Sequence, residues 1–534
     1  MPKFIPYNYN QNVMLTINYL DQLRPGTFEY AIHFLFEHKL DLSHFYPEFN
    51  NDHNGRPAYD PAILLKIILF AYSKGITSSR DIEWSCQNNI IFKALSCDAI
   101  PHYTTIANFV SGYTEQIETL FEQILLICDK EGLLGHELFA IDGCKMSSNA
   151  AKEHSGTFKE LEQKRQKIKK QIAYHLAEHK NCDKSMPRDQ ERIKRHQQAQ
   201  DTLSKAYDKI DRFLKTASPR MGKGRRIKEV KSNITDNVPQ GILSGCAIHL
   251  KSAKMTTSKG TIQGYNGVAS VDNKHQIIID AQAFGEGQEH HTLQPVLETI
   301  KDRYKRLGVS SNIYDDGVVV TADTGFANEA NMSYLYTHNI NGYIPDNKFR
   351  SRDPRFTEQK KKYGKRNSNV KRKTINVIPA SEFAFDPIQK TCTCPAGESL
   401  WLHREGIDQN GNHKLFFEGR LTKCRHCTIK HQCMQNPSSA DTRKGHGRQV
   451  SFIIENKRSP RYTDWMKHRI DSRKGKVIYS HRMSVVEAVF GNIGTNKKLN
   501  RFSVRGKKKV QCQWKLYCMV HNIEKLTNYG TLAA

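Results

Sequence analysis

Two short apolar runs that each end in an aspartate constrain the fold of this chain more than any other feature. Residues 137–142 read ELFAID, and residues 318–323 read VVVTAD. Uninterrupted apolar runs of this length are typical of strands buried in a sheet. A hairpin pattern at 262–281 and a helical pattern at 290–307 lie between them, and a further helix and strand follow. This order of strands and helices predicts an α/β fold with a mixed sheet.

Asp142 and Asp323, the residues that end the two runs, are the first candidates for chemistry. Carboxylates at neighbouring strand ends can converge on divalent cations. Two cations about 4 Å apart can activate an attacking oxygen and stabilise a leaving oxygen in phosphoryl transfer. An aspartate at the end of a strand is nevertheless most often a turn former or a helix cap. Each aspartate alone is therefore weak evidence for a metal site.

The net charge of +27, from 81 Lys and Arg against 54 Asp and Glu, indicates a polyanionic partner. Nucleic acid is the first choice, because each cation placed on a phosphate releases condensed counterions. A basic protein without such a partner and a membrane-surface protein are the alternatives. No apolar run approaches the roughly 20 residues that span a bilayer, and the first residues lack the apolar stretch of a secretory signal.

The 13 cysteines are odd in number and unevenly spread along the chain. This usage is typical of a reducing compartment rather than of a disulfide framework. We therefore expect a cytoplasmic protein with no membrane partner.

The first 125 residues or so have the pattern of a helical domain. Asp60 and Pro61 suit the cap and the first position of a helix, and residues 62–72 are apolar on nearly every side, which predicts burial among other helices. Shorter helices are expected after Ser78 or Ser79 and after Thr104 or Thr105. These are compatible with a helix-turn-helix DNA reader, and equally with a plain helical bundle or a dimerisation domain.

A long polar stretch from about 155 to 215 interrupts the α/β pattern after the first strand. Apolar residues recur at helical spacings on both sides of Pro187, which predicts an antiparallel helical hairpin. Its expected role is spacing or dimer contact.

Three motifs occur in a fixed order: DGCKMSSNA at 142–150, TADTGF at 321–326 and SVVEAVFGNI at 484–493. Together they resemble the bacterial insertion-sequence transposases of the DDE type, which have a ribonuclease H-like catalytic core. Further stretches of the chain match other parts of that family, so the resemblance covers most of the chain; these are the central hairpin at 263–272, the N-terminal motif at 55–61 and the C-terminal helix at 514–522.

The resemblance implies that Asp142, Asp323 and Glu487 form a triad that binds two Mg²⁺ or Mn²⁺ ions. It implies DNA cleavage at the ends of an element, followed by strand transfer into target DNA. The expected partner is double-stranded DNA, both terminal inverted repeats and target. Because each end must be held, we expect a homodimer or a higher assembly on DNA.

The resemblance also implies four regions. They are an N-terminal helical domain for DNA binding or dimerisation (1–130), a ribonuclease H-like core with a helical insertion at 155–230 (131–350), a basic loop with a cysteine-rich, zinc-ribbon-like insertion (351–450), and a C-terminal helical part of the core that carries Glu487 (451–534).

Glu487 also has a purely structural interpretation. Ser484-x-x-Glu487 ahead of an apolar run is a capping box, in which the glutamate only satisfies a helix N-terminus. The residues alone favour this cap, with a helix that starts near Ser484. The resemblance favours the catalytic role, because the third carboxylate of these cores lies on a late helix.

The sequence departs from the family pattern around this helix. Many relatives carry Tyr-x-x-Arg-x-x-x-Glu, with a lysine seven residues further on. Here Tyr479-x-x-Arg482 is present, but Glu487 lies one residue further away and Gly494 stands in the place of the lysine. Lys497 and Lys498 are the candidates to replace it.

Cationic residues around Glu487 are candidates for DNA contacts. Arg482 and His481 could bind the phosphate being cut, since arginine offers a bidentate fork; a structural ion pair is the equal alternative for Arg482. Charge runs are usually solvated faces, but in a chain this basic they are also the best candidates for a DNA track. One run comprises Arg501, Arg505, Lys507, Lys508 and Lys509, and another comprises Lys360, Lys361, Lys362, Lys365, Arg366, Lys371, Arg372 and Lys373.

Five cysteines lie between Cys392 and Cys433. A Cys-x-x-Cys pair with further cysteines at a distance can bind Zn²⁺ tetrahedrally. The alternative is a set of reduced cysteines packed in a small subdomain. The expected ligands are Cys394, Cys424, Cys427 and Cys433, with Cys392 spare and His426 or His431 as substitutes.

Three hypotheses for the function therefore remain. The first is an active transposase. The second is a structure-selective nuclease on the same fold, which cuts but does not join. The third is a non-catalytic DNA-binding regulator, against which the presence of all three carboxylates weighs.

Overall fold

The chain folds into two units, one formed by Met1–Asn347 with Met466–Ala534 and the other by Lys348–Trp465. The structure is a computed structural model and describes residues 16–49, 57–150, 155–182, 190–219, 221, 229, 231–234, 252–257, 260–353, 377–407, 412–455 and 461–531. The motif residues Gly55 and Arg56, the turn residue Pro187 and the basic run 360–373 lie outside the described residues. Within the described part, no helix is long and apolar enough to cross a membrane.

The first unit begins with short helices. They are α1 (Phe28–His38), α2 (Pro61–Ser73), α3 (Ser79–Asn88), α4 (Ile90–Ser96), α5 (Tyr103–Gly112) and α6 (Thr114–Lys130), with 3-10 turns at Leu20–Gln22 and Ser43–Glu48. Helix α2 starts as predicted, since the Asp60 carboxylate accepts a hydrogen bond from the Ala62 N–H at 2.7 Å and Pro61 is the first helical residue. Helix α5 is capped by His102 rather than by a threonine.

A mixed sheet forms the centre of this unit, as the sequence predicts. The strands of the unit are β1 (Leu138–Ser147), β2 (Ser155–Gly156), β3 (Ser232–Asn233), β4 (Ala253–Thr257), β5 (Gly260–Asp272), β6 (Ile278–Phe284), β7 (Val319–Ala322) and β8 (Asn341–Tyr343). The order in the sheet is β4-β5-β1-β7-β8, with β6 also paired to β5, while β2 and β3 pair separately. Strand β1 runs antiparallel to β5 and parallel to β7.

The strand that carries the first aspartate is longer than its apolar run suggests. Strand β1 does not end at Asp142 but continues to Ser147, because β5 pairs with it along the whole stretch, from Phe139 opposite Asp272 to Ser147 opposite Gly264. Strand β7 does end directly before Asp323, as predicted.

Helices cover the sheet. They are α9 (Leu293–Arg306) and α10 (Glu329–Thr337), followed late in the chain by helices Tyr462–Asp471, Arg473–Gly491 and Lys507–Tyr529. The Lys507–Tyr529 helix is almost wholly buried. Its Trp514 indole N–H donates to the Val268 carbonyl at 3.1 Å, and the ring of Tyr517 stacks on that of Tyr72 with centroids 4.3 Å apart. The C-terminal helix therefore joins α2 to the central hairpin.

Two long helices follow the first strand, α7 (Phe158–Cys182) and α8 (Gln190–Thr216). They pack against each other through a small apolar cluster, which comprises Leu161, Ile168, Ile210, Phe213 and Ile234. An Arg165–Asp211 ion pair of 2.5 Å ties the two helices together. These helices occupy the stretch for which the sequence predicts a helical hairpin.

The second unit is built on an antiparallel sheet. Its strands are β9 (Ala384–Asp386), β10 (Thr391–Thr393), β11 (Ser399–Ile407), β12 (His413–Gly419) and β13 (Gln449–Glu455), in the order β13-β12-β11-β10-β9. Short helices lie at Phe349–Arg352, Leu421–Arg425 and Lys430–Cys433. The core of this unit comprises Phe383, Cys392, Leu400, Leu415, Phe417, Cys433 and Val450.

Candidate active site

Asp142 and Asp323 lie side by side on the central sheet. Strands β1 and β7 run parallel with Ile141 opposite Ala322, so the next residue of each strand stands at the same level. The pairing of two buried apolar strands thus brings together aspartates that are far apart in sequence. The Asp142 side chain is 21% exposed and that of Asp323 is 43% exposed.

Arg482, on the Arg473–Gly491 helix, holds both aspartates. Its Nη2 lies 2.9 Å from Oδ2 of Asp142 and 3.9 Å from Oδ1 of Asp323, and its side chain is only 6% exposed. The structure places Arg482 in an ion pair, and its contact with the phosphate being cut stays a prediction. A guanidinium in this position offsets part of the charge that two neighbouring carboxylates create.

Glu487 lies on the same helix and is exposed. The helix begins at Arg473, not near Ser484, and its cap is Ser472, whose hydroxyl accepts from the Gly475 N–H at 3.0 Å. The Ser484 hydroxyl instead donates to the His481 carbonyl within the helix at 2.8 Å. The capping-box interpretation of Glu487 is therefore wrong.

The extra residue between Arg482 and Glu487 changes their relative orientation. Residues five apart are rotated by roughly 140° around a helix axis, whereas residues four apart are rotated by roughly 40°. Arg482 is buried against the two aspartates, while Glu487 is exposed on the same helix.

The pKa of the Asp142 carboxyl depends on its burial and on the charges around it. Burial raises the pKa of the Asp142 carboxyl, while the Arg482 guanidinium and a hydrogen bond from the Gly143 N–H oppose that rise. The negative charges of Asp323 and Glu487 raise the pKa further. The other two predicted carboxylates thus both act on Asp142, and a bound cation would relieve this repulsion.

A fourth carboxylate near the aspartates, not predicted from the sequence, is that of Glu289, in the 3-10 turn Glu289–His291 after β6. Its pKa is raised by burial first and then by the charge of Asp142, with a further contribution from Asp323. The Nδ2 of Asn266 donates to its Oε1 at 3.3 Å. The only local signal was the glycine near each aspartate, Gly143 and Gly325, which leaves room for this side chain.

The predicted DNA-contacting cations fall into separate groups. Lys497, 1% exposed, is buried in an ion pair with Glu524, so it does not lie on a DNA-facing surface, and its pKa is lowered by burial. Lys507 is partly buried, with its ammonium 5.7 Å from the centre of the Phe284 ring. The exposed members are His481, Lys498, Arg501, Arg505 and Lys508.

Arg501 and Arg505 are anchored to Asn149, just after the end of strand β1. Nη2 of Arg501 donates to Oδ1 of Asn149 at 2.8 Å, and Nε of Arg505 donates to the Asn149 carbonyl. The Phe502 N–H donates to the Ser147 carbonyl at 2.9 Å. The cationic loop is therefore fixed relative to β1.

Three of the four cysteines predicted as zinc ligands act electrostatically on the fourth, Cys433. Burial raises the pKa of the Cys433 thiol, Arg448 opposes this, and Cys394, Cys424 and Cys427 each raise it further. Cys392 packs in the core of its unit. Among the described residues, no group of three His, Cys, Asp or Glu side chains is arranged to hold a metal ion, and this holds for the carboxylates of the site as well as for the cysteines. Zinc binding therefore stays a prediction.

Comparison with protein families gives two matches. A family described as "Transposase DDE domain" matches residues 393–527, which include the four cysteines, Arg482 and Glu487. A family described as "Transposase domain (DUF772)" matches residues 18–112, which include α1 to α5. No curated protein matches the chain. The two matches together support an insertion-sequence transposase of the DDE type as the family of this chain.

Proposed function

We propose that this chain cuts DNA at the ends of its element and joins those ends to target DNA, with Asp142, Asp323 and Glu487 as the catalytic carboxylates. The observation that carries the proposal is the meeting of Asp142 and Asp323 at Arg482, on the helix that also bears Glu487. A DDE transposase domain implies an enzyme of transposition in general. Beyond this general activity, we propose the cleavage and joining steps.

We also propose that the core is ribonuclease H-like. Support comes from the sheet, in which β1 lies between antiparallel β5 and parallel β7, and β8 continues the parallel side. The aspartates on β1 and directly after β7 then occupy the centre of the sheet, and the Arg473–Gly491 helix packs over them.

The donor atoms of the site suit hard divalent cations. DDE transposase domains generally use divalent metal ions, and the three residues offer only carboxylate oxygens, the donors that Mg²⁺ and Mn²⁺ prefer. When bound, a pair of such ions supplies the charge that activates an attacking oxygen and stabilises a leaving one. Asp142, Asp323 and Glu487 would hold them.

Other residues of the site fix the Asp142 carboxylate, and part of the site is exposed. The Gly143 N–H and the Arg482 guanidinium fix the two oxygens of the Asp142 carboxylate, at 2.8 Å and 2.9 Å. Glu487 and His481 are exposed, so a DNA strand can reach both residues. The guanidinium of Arg482 can turn from carboxylate to phosphate oxygens, which it binds with the same fork.

Transposases act on DNA, and we propose the anchored loop of Arg501 and Arg505 as part of the DNA track. These side chains are exposed, and their position relative to β1 is fixed through Asn149. Holding two element ends at once requires at least two copies of the chain, so we propose a homodimer or a higher assembly on DNA.

The test is cleavage of a labelled duplex that carries the terminal repeat, with Mg²⁺, by wild type, Asp142→Asn, Glu487→Gln and the exposed control Glu298→Gln. Cutting by wild type and control alone supports the site. Cutting by Glu487→Gln would mean that Glu487 is not one of the three catalytic carboxylates. Cutting without joined products favours a nuclease, and tight binding without any cutting by wild type favours a regulator.

A further inference from the structure

The carboxylate of Glu289 fills the space between the two aspartate-bearing segments. A Cβ added at Gly143 would lie 3.0 Å from Oε1 of Glu289, and one added at Gly325 would lie 2.1 Å from Oε2. Gly143 directly follows Asp142, and Gly325 lies two residues after Asp323. One glutamate from a third segment therefore reaches both catalytic segments at once.

The segment that carries Glu289 is held firmly in this position. Nδ2 of Asn266 donates to Oε1 of Glu289 at 3.3 Å, and Asn266 is fully buried on β5. The carbonyl of the next residue, His290, accepts from Nδ2 of Asn328 at 2.8 Å and from Nδ2 of Asn331 at 3.0 Å. The position of the carboxylate is thus set by the fold and not by a mobile surface chain.

Asn266 provides a second, independent indication of a ligand. Its Oδ1 is buried and has no hydrogen-bond partner among the described residues, and it faces the same space, 2.7 Å from a Cβ placed on Gly143. A buried acceptor without a donor is costly. A water molecule held by a cation beside Glu289 would supply that donor, since Mg²⁺ and Mn²⁺ usually keep several of their waters.

We propose that Glu289 is a fourth carboxylate ligand of the divalent cations held by Asp142 and Asp323. The inference rests on the proposed function, because it assigns one more ligand to the same site. Arg482 pairs with the two aspartates, and the charge of Lys145 acts on Glu289. Three carboxylates against these two cations still leave an excess of negative charge, which a divalent cation balances. The alternative is that Glu289 only braces its turn through Asn266.

The test measures Mn²⁺ binding directly, by electron paramagnetic resonance of free Mn²⁺ during titration of the full-length protein. Glu289→Gln removes the charge but keeps an acceptor for Asn266. Gly325→Ala keeps the charge and displaces the carboxylate, because its Cβ would collide with Oε2. Both variants should weaken Mn²⁺ binding by about tenfold or more. The matched controls are Glu298→Gln, exposed on α9, and Gly112→Ala, whose Cβ would meet nothing within 4 Å.

Asp142→Asn in the same titration separates this inference from the proposed function. Suppose that Asp142→Asn weakens Mn²⁺ binding while Glu289→Gln and Gly325→Ala bind Mn²⁺ as the controls do. Glu289 is then a structural residue and not a metal ligand, and the proposed transposase site is retained. If none of the three variants differs from its control, the metal site itself is refuted. Circular dichroism in EDTA checks folding, and a misfolded Glu289→Gln leaves Gly325→Ala to decide.

Discussion

The Nη2 of Arg482 lies 2.9 Å from Oδ2 of Asp142, and this contact joins the late helix to the first strand of the sheet. Removal of the guanidinium leaves Asp142 and Asp323 near each other without the cation that contacts both of them. Arg482→Met should therefore lower the free energy of unfolding, measured in EDTA, by about 2 kcal/mol. The expected loss is smaller than that for breaking a fully buried ion pair, because water reaches the Asp142 carboxylate.

Mn²⁺ should restore part of the stability that Arg482→Met loses, because a cation that binds the folded state stabilises it by mass action. Urea denaturation with and without Mn²⁺ measures both effects. The control is Arg306→Met, whose side chain is 53% exposed in its pair with Glu122, so its loss should stay below about 1 kcal/mol. Equal stability of Arg482→Met and wild type in EDTA would contradict the prediction.

The cationic residues should separate by their effect on DNA binding. Arg501→Ala and Arg505→Ala should each reduce the slope of log affinity against log salt by about 1, because each loses one phosphate contact. Lys497→Met should leave the slope unchanged, since Lys497 is buried against Glu524, and should destabilise the fold instead. Fluorescence anisotropy over a salt series measures the slopes. A change of slope in Lys497→Met alone would reverse this assignment.

The sequence predicts the buried strands that bring Asp142 and Asp323 together, but it does not predict where the helix of Glu487 begins. Asp142 and Asp323 follow apolar runs whose pattern is local, and parallel pairing then places them together. The Arg473–Gly491 helix begins with Arg-Lys-Gly-Lys, which has no apolar periodicity. Its Gly475 is required by packing, since a Cβ there would lie 1.9 Å from the Arg469 carbonyl oxygen. Such a close approach between two helices cannot be read from the sequence.

Glu289 could not be predicted for a different reason. Its role depends on three segments, around Gly143, Asn266 and Gly325, that meet only in the folded chain. Nothing in the residues next to Glu289 distinguishes it from a glutamate at the start of an ordinary turn. Lys497 is the opposite case. Its basic, polar stretch of sequence predicts an exposed lysine, but the side chain is buried in an ion pair with Glu524 on the C-terminal helix.

Arg303 connects the N-terminal helices to the core through a buried network. Its side chain is fully buried and lies 2.7 Å from both Asp280 on β6 and Glu118 on α6. Arg303→Met should cost about 3–5 kcal/mol, because the fully buried Asp280 loses its partner. The double variant with Asp280→Asn should recover part of that loss. Urea denaturation tests this, and a double variant less stable than Arg303→Met would contradict the prediction.

The cysteines of the second unit should bind zinc if the sequence prediction holds. Purified protein should then contain about one zinc ion per chain, and Cys424→Ser with Cys427→Ser should lose it. Elemental analysis of the intact protein measures the content. Cys97→Ser, at an exposed position in the first unit, is the control. Absence of zinc from wild type isolated without chelators would leave the cysteines as packed thiols.

His521 makes the stability of the core depend on pH. The residue is 1% exposed on the C-terminal helix. Its Nε2 donates to the Gln276 carbonyl at 2.9 Å, while Nδ1 accepts from Nδ2 of Asn492 at 3.0 Å. Only the neutral ring satisfies both contacts. Burial lowers the pKa to about 3, and the charges of Lys525 and Lys497 contribute to the decrease.

A histidine with a lowered pKa binds its proton more readily in the unfolded chain. The stability it contributes is complete above its ordinary pKa of 6.5 and is lost as pH falls toward about 3. The expected slope is at most about 1.4 kcal/mol per pH unit. His521→Gln should be less stable than wild type at pH 7 and should lose less stability on acidification. Urea midpoints from pH 7 to pH 4.5 measure the difference. Parallel pH profiles for the two proteins would mean that His521 binds its proton as readily in the folded chain as in the unfolded chain.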